Sequence, residues 1–358
     1  MNQKINSLQG LRMVLFLMIF MFHLSAFEDI ANTAIYQELL AGGGTEAVAI
    51  FFVLSGFVEA IHDHASITEN AWKGVYKRYR KLKPLHIFFL VLSIPTHIVI
   101  LMKAPINSFL SLIANILLIQ SWFPDEAIWL GYNGVSWFLS TLLFLSLFSG
   151  VLHKISNYIE RCSSRQKLYS AVLVFLCTVV FLIATRIDST VDIKYWLYAF
   201  PPIRVIDYAS GFVLGRLYKR HRFTPNKNLG TFLEACGVIA LVIYLVVFRF
   251  VPVAIRRAAL YLPGALYIIY IFSLSSGYIS KLLSSGVMVY LGNGTLYYMM
   301  SHQVILLYCM YGAKLETRIT GHSNSILWII TSFIIMIASR PLYEKIQHKI
   351  NFHFGFKN

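Results

Sequence analysis

The chain is poor in charge, and that scarcity decides its class. Charged residues make up 13% of the 358, about half the share usual in soluble domains. So few could not cover a water-soluble particle, which excludes a soluble globular enzyme. A hydrophobic share of 57% excludes a disordered chain. Cysteine is scarce too. Cys162, Cys177, Cys236 and Cys309 stand far apart, which rules out a disulfide scaffold and any cysteine-based metal spacing. They read as small membrane hydrophobes. The sequence has no Walker loop, no dinucleotide fingerprint, no zinc site and no Ser-His-Asp order. It also lacks internal repeats, low-complexity tracts and a long soluble insert.

What is present is apolar length. Mean hydropathy is +0.64. A membrane-spanning helix needs roughly 20 largely apolar residues. Eleven stretches are candidates: 9–27, 45–62, 84–102, 107–122, 135–153, 167–186, 203–218, 232–249, 258–277, 289–312 and 325–343. They predict an all-α polytopic membrane protein. Residues 1–343 form one membrane domain without an extracytoplasmic module, and 344–358 form a basic cytoplasmic tail. Lys4 and Arg12 before the apolar run imitate a signal peptide, but no small-x-small cleavage site follows. The segment reads as an uncleaved first helix.

Lysine and arginine orient the chain. They number 31 against 16 acidic residues, a net charge of +15. In so apolar a chain this excess points to loops beside anionic lipid, not to nucleic acid. The segment 63–83 holds Lys73, Lys77, Arg78, Arg80, Lys81 and Lys83. A second basic loop holds Lys154, Arg161, Arg165 and Lys167, and a third Arg216, Lys219, Arg220, Arg222 and Lys227. With Lys345, Lys349 and Lys357 in the tail, all four are predicted to be cytoplasmic. Glu28, Asp29 and Glu38, in a loop without cations, are predicted outside. The glycines 42–44 there read as a flexible loop with no helix start. An even number of crossings must separate the first two basic loops. The shortest stretch between them, 107–122, is therefore predicted as a re-entrant or partial helix. That leaves ten crossings with both termini in the cytoplasm.

Polar residues inside apolar segments are costly and suggest function. Arg12 and His23 lie eleven residues apart, on one helical stripe about 16 Å long. Singly, Arg12 suits a positive-inside anchor and His23 an interhelical hydrogen bond. As a pair they suggest a site. Phe51-Phe52-Val53-Leu54-Ser55-Gly56-Phe57, then Glu59, places a small residue where a ligand or another helix can come close. The run Lys77-Arg78-Tyr79-Arg80-Lys81-Leu82-Lys83 suits either topology or the phosphates of a nucleotide such as coenzyme A. Pro84 suits the first turn of the next helix. Asn133 or Ser136 can cap the helix that holds Trp137. Arg204 and Asp207 can pair, and His302, alone in its helix, suits a structural role.

The order of these motifs resembles the integral-membrane acyltransferase family 3, the sugar O-acyltransferases. Leu8-Gln9-Gly10-Leu11-Arg12 with His23 is similar to that family's opening. Phe51 to Phe57 resembles its second motif, and Arg78 to Pro84 its basic motif before proline. Trp137-Phe138-Leu139, the Arg204 to Gly215 stretch and Leu291 to His302 resemble later landmarks. There are two departures. The family's basic motif usually has two arginines, whereas Arg78 is matched here by Lys81. Leu142 stands where many relatives have glutamate, a form more like the branch that acetylates enterobacterial common antigen.

The resemblance implies an acyl-CoA-dependent O-acetyltransferase of a bacterial cytoplasmic membrane, acting on a lipid-linked or cell-surface glycan. Acetyl-CoA or another acyl-CoA is the donor, and no metal is implied. His23 is the expected base or acyl relay and Arg12 its electrostatic partner. Arg78, Lys81, Lys77 and Arg80 are expected on the CoA phosphates, with Ser55 and Gly56 shaping the slot for the pantetheine arm. Phe52, Phe57, Glu59, Trp137 and His302 are expected near substrate. Membrane lipid, acyl-CoA and the glycan are the implied partners, and the oligomeric state stays open. The competing class is a transporter or flippase for a lipid-linked sugar. It would need a paired inverted repeat, which is not visible.

Overall fold

The computed structural model describes residues 4–62, 71–187, 192–220, 223–247 and 250–353. The predicted loop positions Arg222 and Lys357 lie outside the described residues, as do the side chains of Glu38 and Lys349. Among the described residues every regular element is helical.

Helix α1 (Asn6–Phe22) tightens into a 3-10 turn at His23–Ala26. It is followed by α2 (Gly44–Ile61), α3 (Ala71–Ser93) and α4 (Pro105–Leu117). Then come α5 (Trp137–Ile159), α6 (Arg165–Arg186), α7 (Pro201–Arg220), α8 (Lys227–Val247) and α9 (Val253–Leu274). Two short helices, α10 (Tyr278–Leu283) and α11 (Gly286–Asn293), precede α12 (Thr295–Thr320) and α13 (Ser325–His353).

Seven of these, α1, α2, α5, α6, α8, α9 and α13, are long and apolar enough to cross a membrane. An eighth candidate is α3 taken together with Pro95–Lys103, bent by 45° as a broken span or a re-entrant loop is. Helices α7 and α12 have the length, 20 and 26 residues, but carry buried polar groups such as Arg204, Asp207 and His302 that lower their hydropathy. With these two, ten elements among the described residues have spanning length, and seven or eight of them are also apolar enough to cross. The 13-residue α4 is too short to be another.

The basic loops meet at one end of the bundle. Arg220 on α7 pairs with Glu160 just past α5, and Arg216 donates to His153 Nδ1 at 2.7 Å. His153 in turn lies 3.6 Å from Glu59 near the end of α2. The Tyr218 hydroxyl donates to the Ser273 carbonyl, and Ser7 at the start of α1 to the Phe272 carbonyl, tying α7 and α1 to the end of α9. We call this the basic end.

Helix α2 is mostly buried, whereas α6, α8 and α13 present most of their surface outward. The tightest seam is α2 on α7. A Cβ on Gly56 would collide with the Tyr208 carbonyl, and one on Gly211 with the Val53 carbonyl. In lipid no hydrophobic force drives helices together, so close backbone packing between small residues does that work.

Four expectations need correction. Pro84 lies inside α3, because the amphipathic run before it is already helical, with Leu82 and Leu85 buried and Lys81 and Lys83 exposed. The stretch 289–312 is broken at Gly294, between α11 and α12. The glycines 42–44 do open a helix: Gly43, at φ +85°, directly precedes α2, and Gly44 packs against Phe22. Neither Asn133 nor Ser136 caps α5 with its side chain. Both are drawn into other bonds, described next.

Candidate active site

The 3-10 turn at the end of α1 brings His23 against α12. His23 Nδ1 lies 2.8 Å from the Ile19 carbonyl, and His302 Nδ1 lies 2.9 Å from the Tyr298 carbonyl. A carbonyl oxygen only accepts, so each Nδ1 carries a proton and each Nε2 a lone pair. His302 Nε2 stands 3.4 Å from His23 Nδ1, with ring centroids 4.9 Å apart and planes at 72°. The lone pair of His302 thus faces the N–H of His23. His23 Nε2 has no hydrogen-bond partner among the described residues, and the side chain is half-buried. Phe16 packs edge-on to His302 and Phe22 edge-on to His23. His302, alone in its own helix, thus lies against a second histidine brought by α1.

The loop before α5 is pinned to the same stretch of α12. Asn133 Nδ2 donates to the Met300 carbonyl at 2.8 Å, and the Val135 amide donates to Gln303 Oε1 at 2.9 Å. Ser136 donates to Asn115 Oδ1 and accepts from Gln120 Nε2, both at 3.0 Å. The end of α4 is thereby held inside the bundle. Trp137 is buried there between Tyr198, Trp129 and Phe52, at centroid separations of 4.8, 6.2 and 6.1 Å.

Arg12 stands on α1, about 16 Å before His23 along the axis. It is half-buried and donates to Gln9 Oε1 at 2.9 Å. Its partner is a neutral amide, and no carboxylate lies within ion-pair distance of it among the described residues.

A second polar cluster fills the basic end. Glu59, 8% exposed, accepts from Ser149 at 2.6 Å and sits beside His153. Arg78 is an electrostatic neighbour of Glu59 and Tyr208, and its Nη1 is buried without a hydrogen-bond partner. Lys77, Arg80 and Lys81, on the same turns of α3, are exposed. Ser55 donates back to the Phe51 carbonyl at 2.7 Å, and the face of Gly56 is taken by α7. Phe52 and Phe57 are fully buried, Phe57 against Tyr218.

The structure thus joins His23 to His302, Phe52 to Trp137, and Glu59 to Arg78, in two separate clusters. Sequence reading passed over Ser149 and His153 and took Arg216 only as part of a basic loop. His153, an ionisable residue closing an apolar stretch, carried the one signal that could have flagged them.

The fold and these buried sites define a multi-pass membrane protein with a histidine centre and a separate cationic centre. Residues 5–340 match the family model described as an acyltransferase domain, acyltransferase family 3. The chain belongs to that family. It is also 34% identical over 143 residues to the acyltransferase MdmB of Streptomyces mycarofaciens. That match covers 38% of this chain and 36% of the relative, so it spans about a third of each. No solved structure matches.

Proposed function

We propose that this acyltransferase moves an acetyl group from acetyl-CoA to a hydroxyl of a lipid-linked or surface glycan. The observation that carries the reading is the unpartnered Nε2 of His23, held in one tautomer by the Ile19 carbonyl. A sugar hydroxyl is a weak nucleophile and needs a base within reach. His23 Nε2 takes its proton as the oxygen attacks the thioester carbonyl. The C–O bond forms, the C–S bond breaks, and the thiolate leaves with the proton that His23 returns. His23 is cationic meanwhile, and the lone pair of His302 Nε2 steadies its Nδ1–H. His302 is thus a positioning residue. Arg12 offsets negative charge on the donor side.

The donor phosphates fit the basic end, with Arg78 inside the bundle and Lys77, Arg80 and Lys81 at its surface. Helix α5 runs between the two centres. From Trp137, close to the histidines, to Ser149, beside Glu59, it rises about 18 Å, a length that an extended pantetheine arm can follow. Phe52 and Trp137 flank that path, while Gly56 is packed against α7 and serves the α2–α7 seam in place of the slot expected of it.

The test uses purified protein in lipid nanodiscs with labelled acetyl-CoA, scored for donor binding and for slow hydrolysis, so that no acceptor need be known. Wild type is expected to bind and turn over the donor. Arg78→Ala is expected to bind poorly, and His23→Ala to bind without reacting. A wild type with no affinity for any acyl-CoA would sink the reading.

A further inference from the structure

One cavity lies outside the two clusters described above. It lies between α1, α2, α8 and α9, in the half of the bundle away from the basic end, and measures about 290 Å³. Met18, Ile50, Leu241 and Ile268 give it apolar walls. Ile243, Val247 and Leu260 on its rim are exposed, so it opens sideways to lipid between α8 and α9.

Its polar groups gather at one side. Glu46 is 3% exposed, and its Oε1 has no hydrogen-bond partner. The nearest cation, Arg256 Nε, is 3.8 Å away. The Tyr244 hydroxyl is also buried without a partner. Arg256 and Arg257 stand one turn before the lining residues Leu260 and Tyr261 on α9. The Arg257 Nε is buried without an acceptor, and no carboxylate lies within ion-pair distance of Arg257 among the described residues; Glu46 and Asp192 are its more distant anionic neighbours. A buried donor left empty is costly, and a guanidinium fork matches phosphate oxygens.

We propose that this cavity binds the hydrocarbon chain of an amphiphile whose phosphate head lies at Arg256 and Arg257. The apolar walls take the chain, the unspent Nε of Arg257 takes the phosphate with the charge of Arg256 beside it, and the opening between α8 and α9 admits the ligand from the leaflet opposite the basic end. Two sources share this chemistry: a bulk phospholipid and a single-chain alkyl or prenyl phosphate. The proposal does not depend on the acyl-transfer reading.

Gly264 makes it testable. It lines the cavity, and a Cβ built there meets nothing within 4 Å, so a side chain at 264 grows into the void. A diazirine-bearing hexadecyl phosphate is photolysed on wild type in phosphatidylcholine nanodiscs and the labels are mapped. Labels are expected on α8 and α9 around Leu241 and Gly264. Gly264→Phe should cut labelling about tenfold by filling the space. Leu241→Trp, plugging from α8, serves where Gly264→Phe does not fold. Arg257→Gln should weaken the phosphate probe about tenfold and leave a hexadecanol probe unchanged.

Unlabelled hexadecyl phosphate should compete, and inorganic phosphate should not. Equal competition by phosphatidylglycerol assigns the site to bulk phospholipid, and weak competition to a single-chain phosphate. His23→Ala should label as wild type does, whatever becomes of the catalytic reading. Labels spread evenly over the lipid-facing helices, or wild-type labelling in Gly264→Phe or Arg257→Gln, would overturn the proposal.

Discussion

Two of the buried polar centres inside this bundle are built on opposite plans. The first is Arg204, Asp207 and Tyr261, between α7 and α9. Arg204 Nη1 donates to Asp207 at 2.6 Å and to the Tyr261 hydroxyl at 2.9 Å. Its Nε donates to the Tyr198 carbonyl and its Nη2 to the Leu197 carbonyl. Tyr261 closes the ring by donating to Asp207 at 2.6 Å. Both charged residues are 1% exposed. The second centre, His23 with His302, is left open at His23 Nε2. A network whose donors are spent holds a fold in place but has nothing to offer a substrate. A network with one lone pair unspent can take a proton. Both look alike in sequence, as ionisable residues in apolar segments.

The largest expected effects separate these plans. His23→Ala should cut turnover by about 10²–10⁴, the range for loss of a positioned base. It should leave thermal stability in detergent nearly unchanged, because little structural bonding depends on the ring. Asp207→Ala should do the reverse. It strands a buried guanidinium, which destabilises by about 3–5 kcal/mol, read as loss of folded protein in a fluorescence size-exclusion assay. Equal stability losses in the two variants would erase the distinction between closed and open networks.

His302→Leu comes next. Loss of the lone pair facing His23 should lower turnover about tenfold, on the scale of one hydrogen bond to a charged group, with donor binding retained. A purely structural role for His302 would lower the amount of folded protein and leave the turnover of the surviving fraction alone.

Much of this architecture was legible from apolar length and from the distribution of Lys and Arg. Both are local properties of the chain, and the bilayer acts on them directly. Spans of about 20 apolar residues separated by basic loops leave few alternatives. The partial helix 105–117 was legible because the parity of the basic loops required one. The partnership of His302 with His23 was not, since 279 residues separate them and no local pattern encodes which faces of α1 and α12 meet. The same holds for Gly56, whose close neighbour on α7 lies about 150 residues away. The helix through Pro84 was missed for another reason. Proline in a membrane helix is tolerated where neighbouring groups satisfy the freed carbonyl, and a rule drawn from the chain alone ends the helix there.

The smallest predicted effect tests how sharply the basic end discriminates among its cations. Arg78, Lys77, Arg80 and Lys81 are near neighbours in sequence, and charge counting treats them alike. The structure does not. Arg78 is half-buried beside Glu59 and Tyr208 with a buried, unspent Nη1, whereas the other three project from α3 into the exposed region. Exposed charges act through a screened field, and each contributes about 0–1 kcal/mol. Lys77→Ala and Arg80→Ala should therefore raise the KM for acyl-CoA by less than about fivefold and lose even that difference in high salt. Arg78→Ala should raise it by more than about tenfold at any ionic strength, because a buried donor is poorly screened. Should all three substitutions shift KM alike and fade together with salt, the basic end works as a diffuse field, and Arg78 has no privileged place in it.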